Sequence, residues 1–332
     1  MLMQTTIIVG HSRHWLEAIS EMKEYMEKCD LIMLEEPEDE LFEEMLRKRI
    51  SVEEYMRHLK EDCFAKTPAF PKFSSALYKV MIELFERGIR IIQVDPYMSA
   101  LDNIYSIIYK MEGNASTEEI LRTIEEDPVL SEVYRIEKMR AAASIKFYSS
   151  FNNFDAAVEA IKELSRAEAE MLKLRIRMRA LEICQRILSN SARNIYVEAG
   201  DLHTPLSGEL MKNLRETGIK ACIKPVFHLS GAVSRITGGK LRYIFPPSHT
   251  IVLRRYWGMK EDDYDDILAA RSLIRIMFLE RGVERMPSSR EENPKMRSEI
   301  AIDRFVSSLD MEGCRKVFDG VMSGRPQLIA FF

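Results

Sequence analysis

Thr5-Thr6-Ile7-Ile8-Val9-Gly10, then the spaced apolar residues Trp15, Ile19, Met22 and Met26, then Leu31-Ile32-Met33-Leu34, decide the fold class. A β-branched run closed by glycine reads as a buried strand, steps of three and four residues read as a helix, and the second unbroken apolar run reads as another buried strand. The layout returns at Asn194-Ile195-Tyr196-Val197, which turns at Gly200. A helix over about Pro205 to Arg215 carries Leu206, Leu210 and Leu214 on one face, and a strand-like stretch runs from Ile219 to Val226. A further strand candidate, Ile89 to Asp95, is stopped by Pro96. Strands alternating with helices imply an α/β fold with a mainly parallel sheet, here built from two βαβ-type repeats, each with a histidine just past its glycine turn.

Between these stretches the chain is helical. Ala157, Ile161, Leu164, Ala167, Met171, Leu174, Met178, Leu181, Cys184 and Leu188 mark one apolar stripe, and so one helix over about 154–188, roughly 50 Å long at 1.5 Å per residue. The expected organisation is a single α/β domain over 1–332, a helical insertion over 97–190, and a helical C-terminal cap over 255–332. Ser230 to Gly239 reads as a glycine-rich loop, Leu241–Phe245 and Thr250–Leu253 as strands, and about Glu261–Arg281 and Pro294–Leu309 as helices. Leu328 to Phe332 is expected to dock on the core.

The composition excludes several classes. With 48 Lys and Arg against 52 Asp and Glu, the net charge of −4 argues against a dedicated nucleic-acid or anionic-membrane binder. No stretch approaches the roughly 18 apolar residues of a membrane helix. The N-terminus lacks the basic region of a signal peptide. The five cysteines (Cys29, Cys63, Cys184, Cys222, Cys314) form no CxxC pair and fit a reducing, cytoplasmic setting. Only 4 Gln and 8 Asn beside abundant Glu, Lys and Arg lean towards a thermophilic source.

Familiar catalytic motifs fail. Gly10-His11-Ser12-Arg13-His14 has the start of a nucleophile elbow, but His14 stands where that motif needs its last glycine. Gly239-Lys240 lacks the first glycine and the Ser or Thr of a phosphate-binding loop. What remains gathers at the carboxyl ends of the expected strands, where open α/β sheets hold their ligands: His11, His14, Glu35, Glu36, Asp95, Asp201 and His203. Imidazole and carboxylate together suit a divalent metal (Mn, Co or Zn) or a general-base pair. Glu36, beside Pro37 and the acidic Glu38-Asp39-Glu40, reads as solvated or as an acid at a helix N-terminus, and His58, His228 and His249 as structural.

These residues resemble the TraB/PrgY and Tiki group, related to the erythromycin esterase and ChaN-like proteins. That family opens with a strand and a Gly-x-x-His type motif, and about 24 residues later a strand ends in Glu; here His11 follows Gly10 and Glu35 closes Leu31–Leu34. The late Gly-x-x-His is matched by Gly200-Asp201-Leu202-His203, and the Arg-x-Arg-x-x-Ala-like stretch by Arg175-Ile176-Arg177-Met178-Arg179-Ala180. The resemblance covers about Thr5 to Val226. This chain departs in its first motif, Gly10-His11-Ser12-Arg13-His14, and in having Leu174 where a glutamate usually precedes the arginines.

The resemblance implies a metal-dependent hydrolase of a peptide or ester bond. Its metal ligands would be His11, His14, Glu35 and His203, its catalytic residues Glu35, His203 and Arg177, and its substrate contacts Arg175, Arg177 and Asp201. On a helical wheel Arg175 and Arg177 flank the apolar stripe and Arg179 points further away. Two alternatives stand beside it: a non-catalytic protein sequestering a peptide or small-molecule ligand in the same cleft, and a helical scaffold without a ligand site. An exposed Met- and Leu-rich face on the long helix would make any of these a homodimer.

Overall fold

At the carboxyl edge of the sheet each strand either ends at a polar or turn-forming residue (Ser12, Gln93, Gly200) or is followed at once by a polar one (Glu35, His228). The computed structural model describes residues 5–61, 67–111, 113, 115–190, 192–240, 242–279 and 293–324. In chain order the elements are β1 (Thr5–Ser12), α1 (Ile19–Met26), β2 (Leu31–Leu34), α2 (Phe42–Leu46), α3 (Val52–Glu61), α4 (Pro71–Glu86), β3 (Arg90–Gln93), α5 (Pro96–Met111), α6 (Thr117–Glu125), α7 (Pro128–Ser150) and α8 (Phe154–Ser189). Then follow β4 (Asn194–Gly200), α9 (Leu206–Glu216), β5 (Ala221–Phe227), α10 (Ser230–Ile236), α11 (Pro247–Tyr256), α12 (Asp263–Phe278), α13 (Pro294–Ser308) and α14 (Met311–Met322).

The five strands form one sheet in the order β3-β2-β4-β1-β5, every pair parallel. The two βαβ units interlock: β4 lies between β1 and β2, and β1 lies between β4 and β5. Exchanging β1 with β4 and β2 with β5 only reverses the order of the four strands, the arrangement that two similar units related by an axis along the strands would give. In the register, Ile7 stands level with both Ile195 and Ile223, and Leu31 with Ile195 and Arg90. Ile7, Val9, Leu31 to Leu34 and Ile195 to Val197 are buried, as strands covered on both faces require.

The chain divides into two compact units. The sheet unit takes Met1–Tyr134 and Leu174–Ala232, and the second unit Arg135–Lys173, Val233–Val283 and Pro294–Phe332. The helical insertion is thus shared between them. The second unit has its own core, with Phe147, Phe154, Ile161, Ile251, Leu273, Val306 and Phe318 among its buried residues. There Arg254 and Arg255 both reach the buried Asp265, and Arg275 pairs with Glu299 and Asp303.

Several expectations change. Thr250–Leu253 is helical, inside α11, because Pro247 opens that helix at a position where its missing N–H costs nothing. Residues 243–246 are not a strand, and Leu241 lies outside the described residues. Ser230 to Ile236 is the helix α10 and not a loop; the glycines end it, Gly238 and Gly239 standing at φ 67° and 78°. The long helix is present as α8, but its stripe drifts. Leu181 and Leu188 are exposed, whereas Ile176, Ala180, Ile183 and Ile187 are buried. Of its methionines, Met171 is buried and Met178 half-buried. Leu328 to Phe332 and Cys63 lie outside the described residues. No helix among the described residues is long and apolar enough to cross a membrane.

Candidate active site at the carboxyl edge of the sheet

Because β1, β2 and β4 are adjacent and parallel, the residues that follow them converge. A methyl group placed on Gly200 would lie 3.5 Å from His14 Cε1, 3.7 Å from Glu35 Oε2 and 4.0 Å from His203 Nδ1. Three residues chosen from sequence therefore meet around one point. His203, in a 3-10 turn over Asp201–His203, is ion-paired through Nδ1 with Glu35 Oε1. The Gly200 N–H donates to Glu35 Oε2.

Two arginines complete the cluster. Arg175 donates through Nε to Asp95 Oδ2 at 2.9 Å and stands 3.1 Å from Glu35 Oε1. Arg179, 1% exposed, donates to the carbonyls of Val94 (2.8 Å) and Glu198 (2.6 Å), with Nη1 3.4 Å from Glu35 Oε2. Burial alone would raise the Glu35 carboxyl, but His203, Arg179 and Arg175 hold it well below the usual carboxylate range. Arg177, expected as the clamp, is elsewhere: it is exposed and faces Glu132 at 3.4 Å. Arg175 and Arg179 are four residues apart and share a helix face, and Arg177 lies between them on another.

The metal expectation does not fit these residues. Glu35 already faces His203, two guanidinium groups and a backbone N–H, and that positive charge opposes a cation. Among the described residues no three His, Cys, Asp or Glu side chains are placed to hold a metal ion. His11 is fully buried, its Nδ1 3.5 Å from the Gly200 carbonyl and its ring stacked on Phe227; burial lowers its pKa to about 4. Asp201, expected to meet substrate, is buried and accepts a hydrogen bond from Arg13 Nε at 3.0 Å.

Beside the cluster is a cavity of about 240 Å³. Its apolar wall includes Leu59, Phe70, Phe73 and Leu77, and its polar lining includes His14, Glu35, Glu36, Gln93, Arg175 and Glu198. His14 has a left-handed backbone, φ 55°, held by its N–H donating to Ser12 Oγ. Its ring stacks on Phe70, meets Phe73 edge-on, and places Nε2 4.0 Å from Glu198 Oε1. Burial lowers the His14 pKa. A left-handed non-glycine residue costs of order 1–3 kcal/mol and gathers at functional sites.

Glu198 and Glu36 escaped the sequence reading as site residues. Glu198 is level with Gly10 in the sheet and 3% exposed, and Oε2 accepts the Glu35 N–H at 3.2 Å. Burial, with Glu36 and Glu35 nearby, pushes its carboxyl up to about 8. The available signal was an acidic residue inside an otherwise apolar buried strand. Glu36 is half-buried and held in place: Tyr78 Oη donates to it at 2.8 Å and Gln93 Nε2 at 3.0 Å, and burial raises its pKa. His58 and His228 have structural partners, Asp39 at 3.2 Å and Tyr196 Oη at 2.8 Å.

Compared with known proteins, the chain is 28% identical over 307 residues to an uncharacterized protein of Archaeoglobus fulgidus, covering 91% of this chain and 94% of that one. No protein-family profile and no solved structure matches the chain.

Proposed function

We propose that the chain is a TraB/Tiki-type hydrolase of a peptide or ester bond, acting in the cavity beside Glu198 with His14 as its base. The observation that carries this reading is His14 itself: a half-buried histidine held at φ 55°, stacked on Phe70 and lining a cavity, its pKa lowered by burial. A neutral imidazole accepts a proton from water as the oxygen adds to the substrate carbonyl carbon. The tetrahedral oxyanion then forms near Arg175, which lines the same cavity and whose Nη1 has no hydrogen-bond partner among the described residues. The C–N or C–O bond breaks as the imidazolium returns its proton to the leaving amine or alcohol. Glu35, His203 and Arg179 position this machinery, and no step passes through a metal.

The test is a panel of chromogenic esters and fluorogenic peptides with wild-type protein and His14→Asn, with and without a chelator. Turnover that survives the chelator and falls at least about 100-fold in His14→Asn is the expected result. Turnover unchanged in His14→Asn overturns the assignment. The sequestering alternative draws on the mutual pairing of Glu35 and His203, which leaves neither free for chemistry; it predicts ligand binding without turnover.

A further inference from the structure

The carboxyl groups around the cavity are not all answered by a cation. Arg175 and Arg179 answer Asp95 and Glu35, while Glu36 and Glu198 form no salt bridge with any Lys or Arg among the described residues. Both oxygens of Glu36 accept hydrogen bonds from neutral donors. Glu198 is different: among the described residues only Oε2 accepts one and Oε1 has no hydrogen-bond partner, although the residue is 3% exposed and lines the cavity. A buried carboxyl with an empty acceptor site needs a donor; a cationic donor serves it best, because its charge favours the ionised carboxylate that burial alone disfavours. The same cavity has an apolar and aromatic lining that includes Phe70, Phe73 and Leu77.

We propose that the cavity takes the free α-ammonium group of a peptide or aminoacyl ester, its nitrogen on Glu198 Oε1 and its first, apolar side chain against Phe70, Phe73 and Leu77. In such a substrate the amino nitrogen and the first carbonyl carbon are two bonds apart. Fixing the nitrogen on Glu198 therefore sets that carbonyl beside His14, whose Nε2 is 4.0 Å from the same oxygen. The inference deepens the hydrolase reading and rests on it for the chemistry, but the binding claim stands separately.

The experiment compares free and acetylated amines on the full chain. Phenylalaninamide and N-acetylphenylalaninamide are titrated calorimetrically, and the phenylalanyl and leucyl aminomethylcoumarins, free and acetylated, are followed by fluorescence. The expected result is binding and turnover of the free amines at least about tenfold better than of the acetylated ones, as loss of a charge-assisted hydrogen bond requires. Glu198→Gln, shown folded by circular dichroism, is expected to lose that preference. Equal or better use of the acetylated compounds overturns the inference and leaves the hydrolase reading intact. Binding of phenylalaninamide without turnover upholds the ammonium site and removes the hydrolase. Binding of neither compound overturns the inference, and this arm needs no variant.

Discussion

His203 and Glu35 form a buried ion pair that ties the turn after β4 to the end of β2, its neighbour in the sheet. The Glu35 carboxyl ionises well below its ordinary value near 4.5. A carboxyl with a depressed native pKa adds stability above its unfolded pKa and loses it as pH falls through the native one. Glu35→Gln is therefore expected to be less stable at pH 7 by about 3 kcal/mol, because it also leaves two buried arginines short of a partner. Chemical denaturation at successive pH values should show the gap narrowing below about pH 4.5.

Glu198 has the opposite sign. Its native pKa of about 8 lies above the unfolded value, so the folded state holds an extra proton between the two, and stability declines as pH rises across that interval. Glu198→Gln is expected to gain on wild type from about pH 5 to pH 8 and then level off. Melting temperatures measured at half-unit steps check this, and parallel curves for the two proteins would refute it.

The contrast between Arg179 and Arg177 is testable by stability alone. Removing Arg179 strands the Val94 and Glu198 carbonyls in the interior, and Arg179→Ala is expected to cost about 3 kcal/mol or more. Arg179→Lys should recover little, since one ammonium cannot reproduce a planar fork reaching two carbonyls. Arg177→Ala, at an exposed pair, should change stability by less than about 0.5 kcal/mol.

Gly10 is required by what lies above it. A Cβ there would sit 2.1 Å from Tyr196 Oη and 2.7 Å from His228 Nε2, inside the hydrogen bond those two groups share. Gly10→Ala is expected to destabilise by about 2–4 kcal/mol, as overpacking with a broken buried hydrogen bond does. Tyr196→Phe, which breaks only the bond, should cost about 1–2 kcal/mol. Urea denaturation measures both.

A histidine base with a pKa lowered by burial also shapes the rate profile. Since the base must be neutral, kcat/KM is expected to hold level below pH 6.5 and to fall only at the lowered His14 pKa. A pH–rate profile breaking above 6.5 would point to another base.

The sheet was legible because strands buried on both faces leave unbroken apolar runs, and Leu31–Leu34 and Ile7–Val9 are such runs. The convergence of His14, Glu35 and His203 was legible for a related reason: parallel strands bring all their exits to one edge. The arginine that enters the cluster was not. The apolar stripe was followed in heptad-like steps, which slip by about 20° per heptad against a straight helix. Correct at Ala157 and Ile161, it had drifted to the margin of the buried face by the end of α8, where Leu181 and Leu188 are exposed and Cys184 is still buried, and the choice moved from Arg179 to Arg177. Glu36 misled for another reason: its acidic neighbours suggest solvent, while its partners Tyr78 and Gln93 are distant in sequence. Thr250–Leu253 was a short apolar run, which periodicity alone cannot assign to strand or helix.

The interlocked strand order also bears on how the molecule is made. Among the described residues β1 pairs only with β4 and β5, and β2 only with β3 and β4. A chain emerging from the ribosome therefore holds β1 without a partner through all the synthesis of α8, beside a β2–β3 pair it cannot join. The strand that unites them arrives last but one, and with it come Gly200 and His203. Closing the sheet and assembling the reactive edge are one late, long-range event, the kind that slows folding and leaves apolar edges waiting for cover.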